Sequence, residues 1–161
     1  MTHRIRPSQP DDIPALAGIW HDGWHEAHAA YVPAALTALR TLPDFGRRLR
    51  AMGDDLRVAG PIGAPIGFCA ILKDELYQLY VAPAGRGTGL AASLVADAEA
   101  RIAQAGYRAA HLACGLENNV AAGFYRRQGW TEEGVVEVAL DTSSGPFPLP
   151  VRRFVKPVLA R

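Results

Sequence analysis

The residues with the clearest chemical potential lie in one short segment, VAPAGRGTGLAASL, which spans residues 81–94. An apolar run ends there, Pro83 and three glycines follow, and the chain then takes up a helical pattern. A strand, a glycine turn and a helix N-terminus together form an anion site, because unpaired backbone N–H groups point outward and the helix dipole favours negative charge. The segment therefore favours a ligand that carries phosphate.

Several kinds of phosphate site share this pattern. Gly87, Gly89 and Ala92 fit a loose dinucleotide fingerprint, G-x-G-x-x-A. A Rossmann site also needs an acidic residue about 20 residues further on, and the next strand ends at residues 112–115 without one. The P-loop motif G-x-x-x-x-G-K-[ST] does not occur. A different phosphate-ligand domain, such as one that binds NAD, and a glycine turn without any ligand stay open as alternatives.

From residue 75 onward the chain resembles the GNAT superfamily of acyl-CoA-dependent N-acyltransferases. The family's pyrophosphate loop, [QR]-x-x-G-x-[GA], is matched by Arg86, Gly89 and Ala91 after the strand end Val81-Ala82-Pro83. Its second motif, N-x-x-A-x-x-[FL]-Y followed by a Gly-aromatic pair, is matched by Asn118, Ala121, Phe124, Tyr125 and Gly129-Trp130. Trp130 replaces the commoner phenylalanine. The two motifs occur in the family's order and cover about residues 75–130.

This resemblance implies a single N-acetyltransferase domain over residues 1–161. The implied activity moves an acetyl group from acetyl-CoA to a primary amine of a small molecule or peptide, by direct attack in a ternary complex. A non-catalytic acyl-CoA-binding module, acting as a sensor, is the alternative. Family members are often dimers, so the resemblance also points to a homodimer.

The same resemblance assigns a set of residues to coenzyme A. Backbone N–H groups of residues 87–91 would hold its pyrophosphate, and Arg86 would add a charge-assisted bond. The N–H of Val81 would face the thioester oxygen, as in an oxyanion hole. Asn118 would bind the pantetheine arm, a role that is compatible with a plain N-cap. The full predicted set is Leu79, Tyr80, Val81, Arg86, Gly87, Thr88, Gly89, Leu90, Ala91, Asn118 and Tyr125.

Two residues are predicted to move protons. Tyr125 is the candidate general acid, since a phenol with a pKa of about 10 is protonated at neutral pH and can protonate a departing thiolate. The alternative is a tyrosine that only packs against the cofactor sulfur. Glu75 is the candidate base, and strand alternation would place Glu75, Tyr77, Leu79 and Val81 on one face. A solvated turn residue beside Asp74, or a water chain from a backbone carbonyl, are the alternatives for the base.

The segment WHDGWHEAH, residues 20–28, concentrates aromatic and imidazole side chains. His21, His25 and His28 have helical spacing, but no glutamate follows the first histidine as in the zinc-protease motif, so no metal is expected. In the GNAT family the first two helices commonly border the acceptor site. Trp24, His28 and Tyr31, together with Trp20 and His25, are therefore candidates for binding the acceptor. Plain packing of a helix on the sheet is the alternative.

The pattern of apolar residues predicts a mixed α/β (α+β) domain with a largely antiparallel central sheet flanked by helices. One parallel crossover lies in the middle, and the predicted order is β-α-α-β-β-β-α-β-α-β-β. The second helix spans residues 33–52, with a break or kink expected at Pro43. Lys73-Asp74 has the length of a tight hairpin turn. The remaining predicted elements are strands at residues 5–6, 56–59, 66–72, 75–81, 108–114, 135–140 and 151–155, and helices from about residue 13 and over residues 89–105 and 118–128.

Composition excludes several classes of partner. Seventeen basic and sixteen acidic residues leave a net charge of +1, which provides no electrostatic attraction to nucleic acid or anionic membrane. The longest uncharged run, residues 58–72, is interrupted by Pro61, Pro65 and glycines, so it is too short and too broken to span a bilayer. The N-terminus has no signal peptide pattern. A cytoplasmic protein is therefore expected.

Two further expectations concern Cys residues and the C-terminus. Cys69 and Cys114 each sit in an apolar run, and they are expected to be reduced, buried thiols without an activating base. This favours direct attack over a covalent relay. The last ten residues contain Arg152, Arg153, Lys156 and Arg161, which predict a charged terminal edge strand.

Overall fold

The computed structural model describes residues 3–158. Within these residues, seven strands and five helices pack in layers, with short 3-10 turns at Pro10–Asp12, Gly53–Asp55 and Pro83–Gly85. The strands are β1 (Ile5–Pro7), β2 (Leu56–Ala59), β3 (Gly67–Leu72), β4 (Glu75–Val81), β5 (Ala109–Gly115), β6 (Thr131–Leu140) and β7 (Phe147–Pro157). The helices are α1 (Ile13–His28), α2 (Ala34–Leu39), α3 (Leu42–Met52), α4 (Leu90–Gln104) and α5 (Asn119–Arg127).

All seven strands join one sheet in the order β1-β2-β3-β4-β5-β7-β6. Every pair is antiparallel except β4 and β5, which the crossover helix α4 connects in parallel. The predicted fold class, a mixed and largely antiparallel sheet flanked by helices, is confirmed. The turn at Lys73-Asp74 joins β3 to β4 as expected, with Lys73 in the left-handed region at φ 55°.

The observed order contains one more helix than predicted, because the segment 33–52 forms two helices. Arg40 leaves the helical conformation at the end of α2, with ψ 67°. Thr41 then caps α3, since its side chain accepts a hydrogen bond from the Asp44 N–H at 3.2 Å, and Pro43 occupies the first turn. A proline is tolerated there, where its missing N–H has no helical partner. The break at Pro43 is thus a new helix start.

Two hydrophobic clusters cover the two faces of the sheet. Helix α4 and the core residues Trp130 and Phe154 belong to the first cluster, and helices α1 to α3 belong to the second with Phe45 and Phe68. Fully burying side chains of this kind contributes roughly 2 to 3 kcal/mol each. We call the face of the sheet covered by the first cluster the α4 face, and the face covered by the second cluster the α1 face. The two packed layers hold the sheet rigidly between them.

The central strands β4 and β5 separate soon after they meet. Glu75 is opposite His111, whose N–H donates to the Asp74 carbonyl at 3.1 Å, and the parallel ladder contains no further pair. On its other edge, β4 continues alongside β3 to Val81, and the Ala82 N–H donates to the Ile66 carbonyl at 2.8 Å. Since N–H groups alternate between the two edges of a strand, those of Leu79 and Val81 point toward the gap that opens between β4 and β5.

A bulge in β4 corrects the predicted alternation of side chains. Pairing with β3 shifts by one residue between Ala70 and Ile71, so that Tyr77 is left without an opposite residue. Leu76, Leu79 and Val81 pack in the α4 face, whereas Tyr77 and Tyr80 pack in the α1 face. The expectation that Glu75, Tyr77, Leu79 and Val81 share one face is therefore wrong. Glu75, next to Leu76, lies on the Tyr77 side of the sheet.

The last strand is also placed differently from the prediction. Strand β7 lies between β5 and β6 and is not an edge strand. Its basic residues are neutralised by neighbouring carboxylates: Arg152 pairs with Glu132 at 2.9 Å, Arg153 with Glu133 at 3.0 Å and Lys156 with Glu99 at 2.7 Å. Arg161 lies outside the described residues. Cross-strand neutralisation, rather than protection of an exposed edge, accounts for these charges.

Strand β7 also begins earlier than predicted, at Phe147. Pro148 and Pro150 fall in a half that pairs only with β6, where a strand tolerates proline because its other edge is free. The hairpin of β6 and β7 therefore extends beyond β5. None of the helices within residues 3–158 is long and apolar enough to cross a membrane.

Candidate active site

A cavity of about 730 Å³ lies where β4 and β5 separate. Side chains from both faces of the sheet line it: Tyr125 and Leu76 belong to the α4 face, and Trp20, Leu36 and Tyr77 to the α1 face. The extended hairpin of β6 and β7 contributes Leu140 and Leu149. Because two strands diverge at this point, the cavity connects the two layers of the molecule through the sheet.

The glycine loop forms the start of α4, as predicted. Gly87 and Gly89 have φ angles of 72° and 84°, and no heavy atom lies within 4 Å of where a Cβ would be at either position. Leu90 is buried and holds the helix start on the sheet. The backbone N–H groups of residues 87–92 donate no hydrogen bond to any acceptor within residues 3–158. The loop thus offers free donors at the positive end of a helix.

Arg86, predicted to bind phosphate, forms an ion pair with Glu26 of α1. The Nη2 and Oε2 atoms are 3.1 Å apart, and both side chains are largely exposed. Such exposed pairs contribute little to stability, about 0 to 1 kcal/mol. The guanidinium can therefore exchange this carboxylate for another anion at low cost.

Tyr125 lies on α5 and lines the cavity. Its ring is 6.0 Å from that of Phe154 and 6.3 Å from that of Trp130, which fixes its position. Burial raises the pKa of its phenol, and the nearby Cys114 and Tyr80 add to the increase. The hydroxyl has no hydrogen-bond partner in the described part of the chain. Tyr125 is thus a protonated group with a free donor at the gap.

Asn118 caps helix α5 and lines the same cavity. Its side-chain oxygen accepts a hydrogen bond from the Ala121 N–H at 3.2 Å. This is the N-cap that the sequence predicts, and it leaves the amide NH₂ group to donate elsewhere.

Glu75 is half-buried in the cavity wall at the point where β4 and β5 meet. Burial raises the pKa of its carboxyl to about 7, with a further increase from Asp74 and a smaller opposing effect from Arg153. A carboxyl with this pKa is about half ionised at neutral pH, which suits a general base. Glu75 is therefore not a fully solvated turn residue, and its role as a general base stays a prediction.

Four of the five residues predicted to bind the acceptor lie together in the cavity wall. Trp20, Trp24, His28 and Tyr31 line the cavity, and burial lowers the pKa of His28, which keeps its imidazole neutral. His25 points elsewhere, since its Nε2 lies 2.8 Å from the Arg40 carbonyl oxygen.

The histidines of α1 have separate surroundings. The Nδ1 atom of His21 lies 3.0 Å from Asp22, and Cε1 of His28 lies 2.9 Å from where a Cβ on Gly115 would be. Within residues 3–158, no three His, Cys, Asp or Glu side chains are grouped so as to hold a metal ion.

Among the polar residues of the cavity that were not proposed as site residues from the sequence are Arg40, Arg48 and Tyr77. Both arginines are almost completely buried. The helical spacing indicates burial of Arg48, because this residue follows Phe45 by three positions and so falls on the apolar stripe of α3. Arg40 and Tyr77 carry no such signal, because a helix end and a strand bulge place them.

Neither cysteine is activated. Burial raises the pKa of Cys69 to about 12 and that of Cys114 to about 11. A nucleophilic cysteine needs a depressed pKa, so both thiols are inert at neutral pH.

Comparison with known proteins supports this picture of the fold. The family model described as Acetyltransferase (GNAT) domain matches residues 54–132, which include β2 to β5, the glycine loop and α5. No curated protein matches the chain in sequence.

Several solved structures share the whole fold. A GCN5-related N-acetyltransferase from Rhodopseudomonas palustris is 20% identical, with a TM-score of 0.74 over 98% of this chain and 96% of that one. A ribosomal-protein-alanine N-acetyltransferase from Brucella melitensis is 20% identical, with a TM-score of 0.70 over 96% and 99%. A phosphinothricin acetyltransferase from Sinorhizobium meliloti, solved in complex with AcCoA, is 19% identical, with a TM-score of 0.67 over 99% and 90%.

The family model and the fold agree with the two motifs read in the sequence. The glycine loop opens α4 and the Asn118 motif opens α5, on either side of β5. The segment that holds both motifs matches the GNAT acetyltransferase family, and the whole chain shares the fold of solved GNAT N-acetyltransferases.

Proposed function

We propose that this protein is an N-acetyltransferase that moves an acetyl group from acetyl-CoA to a primary amine of a small molecule, by direct attack in a ternary complex. The observation that carries the proposal is the cavity through the β4–β5 gap, with Glu75 and Tyr125 in its wall. A structural neighbour solved in complex with AcCoA supports the choice of donor.

The residues around the gap fit a coenzyme A donor. The loop at residues 87–92 has free N–H groups and open space above Gly87 and Gly89, which suits a diphosphate. The N–H groups of Leu79 and Val81 point to the unpaired edge of β4, where a peptide-like arm can add as a strand. Bound there, acetyl-CoA supplies a thioester carbonyl. The proposed binding set is Leu79, Tyr80, Val81, Arg86, Gly87, Thr88, Gly89, Leu90, Ala91, Asn118 and Tyr125.

The reaction requires deprotonation of the amine, stabilisation of the developing oxyanion and protonation of the leaving thiolate, and this chain offers a group for each. Glu75 accepts the proton that the acceptor ammonium must lose before its nitrogen can attack. Of the two N–H groups that face the gap, that of Leu79 lies in the cavity wall and nearer Glu75, and it donates to the oxygen on which negative charge develops, an effect worth about 3 kcal/mol. Val81 is six residues from Glu75, roughly 20 Å along the strand, and its N–H holds the peptide-like arm instead. A C–N bond forms as the C–S bond breaks, and Tyr125 gives its proton to the leaving sulfur. The nitrogen releases its second proton to solvent as the amide forms, and Tyr125 regains a proton from solvent. The inert thiols of Cys69 and Cys114 favour direct attack over a cysteine relay.

We also propose a cellular location for the enzyme and a side from which the acceptor enters. Two free, buried cysteines suit a reducing compartment, and the cytoplasm is the proposed location. The acceptor is proposed to enter from the α1 face, where Trp24, His28 and Tyr31 line the cavity.

The test is an amine-panel assay that follows release of the free CoA thiol, together with calorimetric titration of acetyl-CoA, NAD and ATP. Turnover of at least one amine and binding of acetyl-CoA are expected. Binding of NAD but not of acetyl-CoA would refute the proposed donor. Binding of acetyl-CoA without turnover of any amine would favour the alternative, a non-catalytic acyl-CoA-binding sensor.

A further inference from the structure

Two buried arginines line the acceptor side of the cavity. Arg40 and Arg48, which we call the arginine pair, are only 2% and 5% exposed. Arg40 Nη1 donates to the Asp141 carbonyl at 2.7 Å and lies 3.4 Å from the Asp44 carboxylate. Arg48 Nη2 donates to the Tyr77 hydroxyl at 3.0 Å. Both guanidinium groups are therefore held in fixed positions by the protein.

The arginine pair has too little negative charge around it. Asp44 is shared with Arg47, at 3.0 Å, and Asp141 lies 3.8 Å from both Arg47 and Arg48 while being 55% exposed. Three guanidinium groups thus face two carboxylates. Burial and the positive charge of Arg48 both lower the pKa of Arg40. Burying an uncompensated cation is costly, and the site is accordingly short of an anion.

Several donors of the arginine pair have no acceptor. The Nε atoms of Arg40 and Arg48 are buried without a hydrogen-bond partner. Arg40 Nη2 and Arg48 Nη1 donate to no group within residues 3–158. Unsatisfied donors on a buried charged group are rare in proteins. The Nε atoms are closed off by the surrounding protein, whereas the unpaired Nη atoms are not, so the Nη atoms are the donors that an acceptor in the cavity can reach.

The arginine pair lies within a small molecule's reach of the proposed base. The Arg48 guanidinium carbon is 4.3 Å from the centre of the Trp20 ring, and its Nη2 atom contacts Tyr77. Tyr77 and Glu75 are two residues apart on β4 and face the same side of the sheet, a separation of roughly 7 Å along the strand. Apolar side chains of Trp24, Leu140 and Leu149 line the same cavity.

We infer that the acceptor is an amine that also carries a carboxylate, such as a free amino acid or a close derivative of one. The carboxylate binds the arginine pair, and the amine reaches toward Glu75. A guanidinium fork matches the geometry of a carboxylate and binds it through paired, charge-assisted hydrogen bonds. This inference rests on the proposed N-acetyltransferase function and narrows its substrate class.

The experiment compares matched acceptors. The probes are the common L-amino acids, their carboxamides and the corresponding amines without the carboxyl group, each assayed for CoA thiol release. The best acid is expected to have a kcat/KM about tenfold or more above its own carboxamide, a difference of about 1.4 kcal/mol. The carboxamide has the less basic amine, so a preference for the acid has to come from the site.

Variants of the arginine pair show where the preference arises. Arg48→Met should remove most of the ratio of acid to carboxamide, and Arg48→Lys, which keeps the charge but not the fork, should retain only part of it. Arg47→Met is the matched control, because Arg47 contacts the same aspartates without lining the cavity. It should leave the ratio unchanged. Thermal unfolding of each variant separates a changed preference from a loss of folding.

Failure of the carboxylate inference can be told apart from failure of the proposed N-acetyltransferase function. Equal or lower kcat/KM for acids than for their carboxamides would overturn the carboxylate inference and leave the N-acetyltransferase function standing. If no amine is turned over, the proposed function fails, and calorimetry with N-acetyl amino acids and their carboxamides then tests the arginine pair alone. Tighter binding of the acids, lost in Arg48→Met, would support the pair as a carboxylate site. Equal binding, or none, would overturn it.

Discussion

At the scale of single residues, the two proposed proton-transfer groups are set by burial in opposite ways. The phenol of Tyr125 is kept protonated, while the carboxyl of Glu75 has its pKa raised to about 7, where it can take up and release a proton. One cavity thus holds an acid that stays protonated and a base that is half ionised.

Replacing Tyr125 by phenylalanine removes the hydroxyl and keeps the ring packing on Phe154. We expect kcat to fall by about a hundredfold or more, the usual contribution of a general acid, with acetyl-CoA affinity changed by no more than about twofold. Steady-state kinetics and calorimetry measure the two effects. Tyr107→Phe, outside the cavity, is the control. An unchanged kcat in Tyr125→Phe would limit Tyr125 to packing.

Replacing Glu75 by glutamine removes the titrating group. In the wild-type protein, kcat/KM should rise with pH through about 7 as Glu75 loses its proton. In Glu75→Gln the activity should be lower, and the inflection near pH 7 should disappear. An inflection that persists in the variant would assign the titration to another group, such as the acceptor amine or a water chain.

The same substitution has a consequence for stability. The pKa of Glu75 rises from its ordinary value of 4.5 to about 7 on folding, so the folded state binds this proton more tightly than the unfolded state does. That stabilisation is present below pH 4.5 and is lost as pH rises through 7. Glu75→Gln, which stays neutral, should therefore have a higher Tm than wild type above pH 7. Thermal unfolding across pH 5 to 8 checks the sign.

At the scale of elements, the site depends on a glycine loop that precedes α4 and on two strands that separate. The loop follows from local sequence, because Gly87 and Gly89 adopt left-handed backbone conformations that other residues rarely take. The separation of β4 and β5 has a different origin. It depends on what each strand pairs with on its far side, β3 for β4 and β7 for β5.

A matched pair of glycines, Gly89 and Gly106, lies at the two ends of α4. Gly89→Asp places a negative charge at the proposed phosphate site, and Gly106→Asp places the same residue after the other end of the helix, at φ 99° and likewise in open space. Both should lose a similar amount of stability, on the order of 1 kcal/mol, from the left-handed backbone. Only Gly89→Asp should abolish acetyl-CoA binding in calorimetry. Retained affinity would show that the loop holds no phosphate.

At the scale of the whole molecule, one buried carboxylate ties distant segments together. Asp12 receives two hydrogen bonds from Arg6 of β1, at 2.8 and 2.9 Å, and one from the Gly63 N–H in the loop between β2 and β3, at 2.9 Å. It also accepts the Gln9 N–H at 2.7 Å, just before α1. Its hydrogen bonds to Arg6 are the main cause that lowers the pKa of its carboxyl to about 2.

Asp12→Ala should lower the free energy of unfolding by about 3 kcal/mol, because Arg6 is left without its carboxylate. The neighbouring Asp11 is exposed, and Asp11→Ala is expected to cost little. Since the pKa of Asp12 is lowered on folding, its contribution is present above pH 3.8 and is lost as pH falls toward 2. Urea unfolding at pH 7 and pH 3 should therefore show a smaller difference between wild type and Asp12→Ala at pH 3. An equal cost at both pH values would contradict the role of the charge.

Much of the fold, and the local structure of the proposed donor site, can be predicted from the sequence. The glycine turn, the Thr41 and Asn118 caps and the Lys73-Asp74 hairpin depend on residues within a few positions of each other. Backbone preference and short-range hydrogen bonds decide such features, so the chain sequence determines them alone.

The tertiary structure decided the rest, because it depends on which distant strands pair. Strand β7 inserts between β5 and β6, a bulge turns Tyr77 away from Leu79, and the two buried arginines meet Asp141 from a hairpin far along the chain. Composition and periodicity are blind to such long-range contacts. The sequence by itself determined the glycine loop and the resemblance to the GNAT family, and only the packed structure decided which charges line the cavity.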